Sequence, residues 1–183
     1  MKVLVGITGS IGVLNIHSYL ARLAAEPGVH IRAVMTATAA RIVNPAALGA
    51  LLRCPVVSEE WQREQAIPPS THVEDVDVVL IAPATATTMS YCAAGAAQNL
   101  VSACYLAHEG PTVFAPSMAP EMLAHPATQR NLRILAEDGA IVLETGRGLQ
   151  VSSGRWVDGA LCDYSIMRDA VIGSVGLQSR RRG

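Results

Sequence analysis

Four short apolar runs, Lys2–Ile7, Val29–Met35, Val76–Ala82 and Pro111–Pro116, constrain this chain more than anything else in it. Runs of this length, separated by stretches of helical periodicity, read as strands covered on both faces by helices. The first run is followed by Val13, Ile16, Leu20 and Leu23 at helical spacing, until Pro27-Gly28 ends the pattern. The same logic predicts helical stretches over 38–52, with a break at Pro45, over 86–107, interrupted near Gly95, and over 120–138 and 162–175. Short strands are expected at 55–58 and 140–143, a Pro- and Ser-rich loop at 67–71, and a mobile loop or hairpin in the Gly-rich stretch 145–160. Strand and helix alternate throughout, so the fold class is α/β with a doubly wound parallel sheet. With 183 residues, one domain is expected, over 1–176, followed by a frayed basic tail at 177–183.

Composition narrows the function. Half the residues are hydrophobic and only 4% aromatic, which suits a core of Ala, Val, Ile and Leu between helices and a parallel sheet. The net charge is −1 and the basic residues cluster only at Arg180-Arg181-Arg182, too few to neutralise a run of phosphates, so nucleic acid is not an expected partner. Cys54, Cys92, Cys104 and Cys162 have no CxxC spacing and lie in apolar segments, as reduced core thiols of a cytoplasmic protein do; no metal site is expected. The apolar stretch at the start breaks at Thr8-Gly9-Ser10, too early for a signal peptide, and no run approaches the roughly 18 residues of a membrane span.

In a sheet of this kind ligands bind at the carboxyl ends of the strands. Three ends carry hydroxyls and no charge. Gly6-Ile7-Thr8-Gly9-Ser10-Ile11-Gly12 offers backbone N–H groups, Thr36-Ala37-Thr38 has no acid where a dinucleotide site would hold a ribose, and the segment PATATT (83–88) follows a buried strand. Ordinary helix capping would explain any one of these, but three together favour a mononucleotide.

PATATT resembles the PASANT motif, and the chain is similar over nearly its whole length to the flavin-containing cysteine decarboxylases. GITGSIG at the start, His72 in STHVEDVDVVLIAP, GAAQNLVS at 95–102, and PSMAPEM followed by HPATQRNL match that family in order. The family contains phosphopantothenoylcysteine decarboxylases and the enzymes that oxidatively decarboxylate the C-terminal cysteine of lanthipeptide, linaridin and thioamitide precursors. The resemblance implies a Rossmann-like fold, assembly as trimers, often four to a particle, and FMN, occasionally FAD, at subunit contacts. It also implies transfer of hydride from the cysteine Cβ to flavin, then loss of CO2 to leave an enethiol. Carried over by position, Gly9, Ser10 and Ile11 meet the cofactor, Thr36 and Thr38 take its phosphate, and Thr85, Ala86, Thr87, Thr88 and Ser117 line its ring. His72 stands at the active-site base, and Met118, Ala119, Met122, Ser153 and Arg155 at substrate positions.

Three departures refine this. Thr87 replaces the motif asparagine beside the flavin, and Ala119 replaces the asparagine that holds the substrate carboxylate in the family. The segment ETGRGLQVSSGRW (144–156) lacks the cysteine with which phosphopantothenoylcysteine enzymes reduce the enethiol. The leading expectation is therefore a peptidyl-cysteine decarboxylase whose reaction stops at the enethiol, with Arg155 or Arg147 as replacement carboxylate donors. The alternatives are phosphopantothenoylcysteine decarboxylase, a flavin prenyltransferase of the same fold, and a non-catalytic flavin-binding relative.

Overall fold

The computed structural model describes residues 1–59 and 67–181, with side chains to Val175. Six parallel strands form the central sheet: β1 (Lys2–Ile7), β2 (His30–Met35), β3 (Val56–Ser58), β4 (Val78–Ala84), β5 (Thr112–Pro116) and β6 (Ile141–Val142). Their spatial order is β3-β2-β1-β4-β5-β6. The order reverses between β1 and β4, and this switch point opens a crevice at the carboxyl ends of the two strands.

Alternation along the strands separates two cores. Val3, Val5 and Ile7 of β1 and Leu80 of β4 pack with Ile16, Leu20 and Leu23 of α1 (Ile16–Ala24), Leu48 and Leu52 of α3 (Pro45–Leu52), and Met167 and Val171 of the C-terminal helix. On the other face Leu4, Val79, Ile81 and Phe114 meet Met89 of α5 (Ala86–Ala93), Leu100, Val101 and Cys104 of α6 (Leu100–Ala107), and Leu135 of α8 (Pro126–Glu137). These residues are almost wholly excluded from water, and burying each such side chain is worth about 1.5–3 kcal/mol against exposure. α2 (Ala37–Ile42) follows β2 directly.

Four elements depart from the pattern read in the sequence. The first helix begins as a short 3-10 turn, Ile11–Asn15, capped by Ser10, whose Oγ accepts from the Gly12 N–H at 3.1 Å. The Pro- and Ser-rich stretch expected to be a loop contains α4 (Pro69–Val73), where proline at the first helical position needs no hydrogen-bond donor. The stretch 120–138 divides into α7 (Pro120–Ala124) and α8, because Pro126 breaks the helix and the His125 side chain caps the second half. The C-terminal helix α9, Tyr164–Arg181, carries helical backbone into the stretch expected to fray. The Gly-rich stretch is an antiparallel hairpin, β7 (Gly146–Gln150) and β8 (Arg155–Ala160).

No helix among the described residues is long and apolar enough to cross a membrane, and no three of their His, Cys, Asp or Glu side chains gather as metal ligands. Cys92, Cys104 and Cys162 are buried free thiols and Cys54 is half-buried; burial pushes Cys92 and Cys104 up to about 12, out of the range of nucleophiles.

Candidate active site

The carboxyl ends of four strands converge on one cavity of about 340 Å³. Gly9 follows β1, Thr36, Ala37 and Thr38 follow β2, Glu59 follows β3, and Thr85, Thr87 and Thr88 follow β4; Tyr91, Gln98 and Asn99 complete the lining. Thr8 holds β1 and β4 together at its rim. Its hydroxyl, wholly buried, donates to the Pro83 carbonyl at 2.6 Å and accepts from the Thr85 N–H at 2.9 Å. The turn after β1 is equally constrained: a Cβ on Gly9 would run into the Thr38 side chain. Both contacts explain why these positions carry small residues and hydroxyls.

Capping accounts for part of the threonine pattern. Thr36 Oγ1 accepts from the Ala39 N–H, and Thr85 Oγ1 accepts from the Thr88 N–H, each at 3.3 Å. GAAQNLVS performs a similar task. Asn99 and Ser102 cap α6 reciprocally, and Asn99 Nδ2 donates to Thr88 Oγ1 at 3.2 Å, which ties α6 to the cavity wall. Ser10 Oγ donates to Ser117 Oγ at 3.1 Å, so the first and fifth strand ends also meet. Among the residues foreseen at the cofactor, Gly9, Thr36, Thr38, Thr85, Thr87 and Thr88 line the cavity, Ser10 and Ser117 pair with each other, Ala86 is half-buried at the start of α5, and Ile11 is 55% exposed.

The remaining foreseen residues lie elsewhere. His72 lies in the last turn of α4, which packs on α6, and does not line the cavity. Its ring is half-buried, and burial, aided by the Arg32 charge, lowers its pKa below the ordinary 6.5, which keeps the imidazole neutral and able to accept a proton. Its Nε2 is buried and has no hydrogen-bond partner among the described residues. Ala119 caps α7 without a side-chain hydrogen bond, and Met122 on that helix is 50% exposed. The Met118 N–H donates to the Gly159 carbonyl at 2.9 Å, which anchors the base of the hairpin to this loop. Gly159 has φ +102° and a Cβ there would strike the Met118 carbonyl, so the junction requires glycine. Toward the hairpin tip, Ser153 Oγ donates to Gln150 Oε1 at 2.6 Å and Arg155 is exposed. Arg147 is committed to Asp158 at 3.7 Å and to the Trp156 carbonyl at 3.3 Å.

Glu59, Tyr91, Gln98 and Asn99 were not foreseen as cavity residues. Asn99 was visible inside a matched motif, whereas Glu59 lies beyond a three-residue strand and carried no pattern of its own.

The flavoprotein family profile matches residues 1–174. The chain belongs to the flavoprotein family. Among solved structures, this flavoprotein is similar to MrsD from Bacillus sp. HIL-Y85/54728, with TM-score 0.82, 30% identity and 95% of each chain covered. It is also similar to the FMN-dependent cysteine decarboxylase SpaF, with TM-score 0.81, 33% identity and 95% and 97% of the two chains covered. Among curated proteins it is 36% identical over 155 residues to the coenzyme A biosynthesis bifunctional protein CoaBC of Mycobacterium tuberculosis, covering 84% of this chain and 37% of that protein. It is 37% identical over 134 residues to a cysteine/cysteine sulfinic acid decarboxylase of an unknown prokaryotic organism, covering 71% and 37%. This flavoprotein therefore spans little more than a third of the length of these curated relatives.

Proposed function

We propose that this flavoprotein binds FMN in the cavity between β1, β2 and β4 and oxidatively decarboxylates the C-terminal cysteine of a precursor peptide in natural product maturation. The observation that carries the reading is the hairpin at 146–160: it is anchored by Gly159 to the loop that precedes α7, presents Arg155 near its tip, and contains no cysteine. Similarity to SpaF supports cysteine as the reacting residue.

The cavity fits a mononucleotide flavin. Its hydroxyls and backbone N–H groups can bind phosphate and ribityl oxygens, and Thr85, Thr87 and Thr88 present no cation against a neutral ring. Gly9, Ser10, Ile11, Thr36, Thr38, Thr85, Ala86, Thr87, Thr88 and Ser117 hold the cofactor in this reading; FAD is accommodated only if its adenylate extends outside. Bound flavin supplies the two-electron oxidation. The neutral His72 imidazole accepts the thiol proton of the substrate cysteine. Met118 and Met122 offer adaptable apolar contact beside it, and Arg155, helped by Ser153, takes over the carboxylate contact that Ala119 cannot make. Arg155 lies four residues along β8 from Gly159, about 13 Å at strand rise, so its guanidinium reaches a carboxylate at Ala119 only if the hairpin bends back toward the Met118–Ala119 loop.

One subunit does not bring His72 to the cavity. A second copy that contributes His72 to its neighbour's cavity completes the site, which requires a homo-oligomer, with a trimer or four trimers the assembly we favour. Such an enzyme works in the cytoplasm, where its four thiols stay reduced.

A second reading, phosphopantothenoylcysteine decarboxylation, is favoured by the similarity to CoaBC. Mass spectrometry separates the two. A synthetic peptide ending in cysteine should lose 46 Da, CO2 plus two hydrogens; the second reading predicts instead a 44 Da loss from phosphopantothenoylcysteine and no reaction with the peptide.

A further inference from the structure

Two hydroxyls in the cavity wall belong to a chain of hydrogen bonds that runs back into α6. Thr85 Oγ1 accepts from the Thr88 N–H and donates to Thr88 Oγ1, both at 3.3 Å. Thr88 Oγ1 also accepts from Asn99 Nδ2 at 3.2 Å. The Asn99 amide cannot turn over, because its Oδ1 accepts from the Ser102 N–H at 2.8 Å and that place requires an acceptor. Ser102, wholly buried, fixes the Asn99 backbone as well: its Oγ accepts from the Asn99 N–H at 3.1 Å and donates to the Asn99 carbonyl at 3.0 Å. Both lone pairs of the Thr88 oxygen are therefore in use, and only its proton is left. Thr88 is 2% exposed and lines the cavity, and among the described residues no acceptor meets that proton. A buried donor of this kind finds its partner in the ligand.

We infer that Asn99 is a positioning residue that acts through Thr88: it holds this hydroxyl as a donor, and the donor serves a carbonyl oxygen of the flavin ring. N5, the ring nitrogen that receives hydride, accepts in oxidised flavin but carries N–H once reduced, and would then face a donor that Asn99 keeps from reversing. A ring carbonyl accepts in both states. It also gains electron density on reduction, so its hydrogen bond strengthens. Thr88 in this role raises the reduction potential of the bound flavin, one of the ways a protein tunes such a cofactor. The inference rests on flavin occupying this cavity with its ring against Thr85 and Thr88, and is independent of which thiol substrate the enzyme uses.

The test combines fluorescence titrations of the apoprotein with FMN and with lumiflavin, which has the ring but no ribityl phosphate, and the midpoint potential of bound FMN. Asn99→Ser keeps a good helix cap but no longer reaches Thr88; Thr88→Val removes the hydroxyl and Thr88→Ser keeps it. Asn99→Ser and Thr88→Val should each weaken lumiflavin and oxidised FMN about fivefold, the worth of one neutral hydrogen bond. Reduced FMN should lose about tenfold more than oxidised FMN, a fall of about 30 mV in the two-electron potential. Thr88→Ser should match the wild type. The double variant should be no worse than Thr88→Val, because Asn99 acts only through the hydroxyl. Additive losses would show that Asn99 touches the flavin itself, an unchanged potential would reduce it to a structural cap, and weakened FMN with unchanged lumiflavin would move the proton to the ribityl phosphate; each would overturn the inference. Asn99→Asp guards against loss of the fold, since Asp caps a helix as well as Asn. Its second carboxylate oxygen takes the Thr88 proton, so lumiflavin should weaken at least as much as in Asn99→Ser, and undiminished binding would overturn the inference. Failure of the wild type to bind any flavin would overturn the cavity assignment with it, whereas failure to decarboxylate a peptide would leave these measurements unaffected.

Discussion

Replacement of Thr8 by valine should damage both stability and flavin binding, because one hydroxyl satisfies two backbone groups at the switch point. Thr8 Oγ1 donates to the Pro83 carbonyl and supports the Thr85 N–H, and the side chain has no solvent access. Valine has the same shape and leaves both groups without a partner. An orphaned buried group costs about 2 kcal/mol, so two cost about 4 kcal/mol, and the extra apolar methyl returns at most about 1 kcal/mol. The net loss of about 3 kcal/mol corresponds to roughly 6–12 °C in Tm for a chain of this size. Thr8→Ser is the control, since it keeps both hydrogen bonds and loses about 1 kcal/mol with one buried methyl. Urea unfolding of the apoproteins at one fixed protein concentration measures the difference. A parallel FMN titration should show weaker binding for Thr8→Val than for Thr8→Ser, because Thr85 caps the helix whose first turn lines the cavity. Valine and serine variants within 0.5 kcal/mol of each other would refute the reasoning, since a midpoint shift that small is what surface substitutions give.

His72→Asn should retain bound flavin and lose about 10²–10⁴-fold in turnover, the usual contribution of a positioned acid–base group, as read by single-turnover product formation. Since burial lowers the His72 pKa, the acid limb of kcat/KM should lie below the ordinary imidazole range and vanish in His72→Asn; a limb unchanged by the substitution would rule out His72 as the base. Arg155→Ala should weaken binding of a peptide acid far more than that of its amide, with unchanged flavin content; equal losses would show that Arg155 orders the hairpin and does not read the carboxylate. Light scattering of the purified protein should give a trimer or a multiple of it, and a strict monomer would remove the shared-site proposal.

Much of the fold was legible in the sequence, because strand-length apolar runs and 3.6-residue spacing are local consequences of burial. β1, β2, β4 and β5 fall within about two residues of their expected bounds, and the cavity threonines sit where strand ends put them. Punctuation was harder to read. Pro69 starts a helix in what resembled a loop, and Pro126 divides one that looked continuous, because the position of a proline relative to the first turn decides whether it starts or breaks a helix. The dual role of Thr8 was also hidden, since its partners lie 75 and 77 residues away.

The sequence by itself determined the parallel α/β class, the strand ends offering hydroxyls, and the motif order that points to a flavin and a cysteine substrate. Only the tertiary structure decided which ends share a cavity. Strand order β3-β2-β1-β4 carries Glu59 from a three-residue edge strand to within 3.2 Å of Ala37, and it leaves His72 on a helix that packs away from the same cavity. Both outcomes follow from crossover connections, which set spatial neighbours by handedness and sheet order and not by separation along the chain.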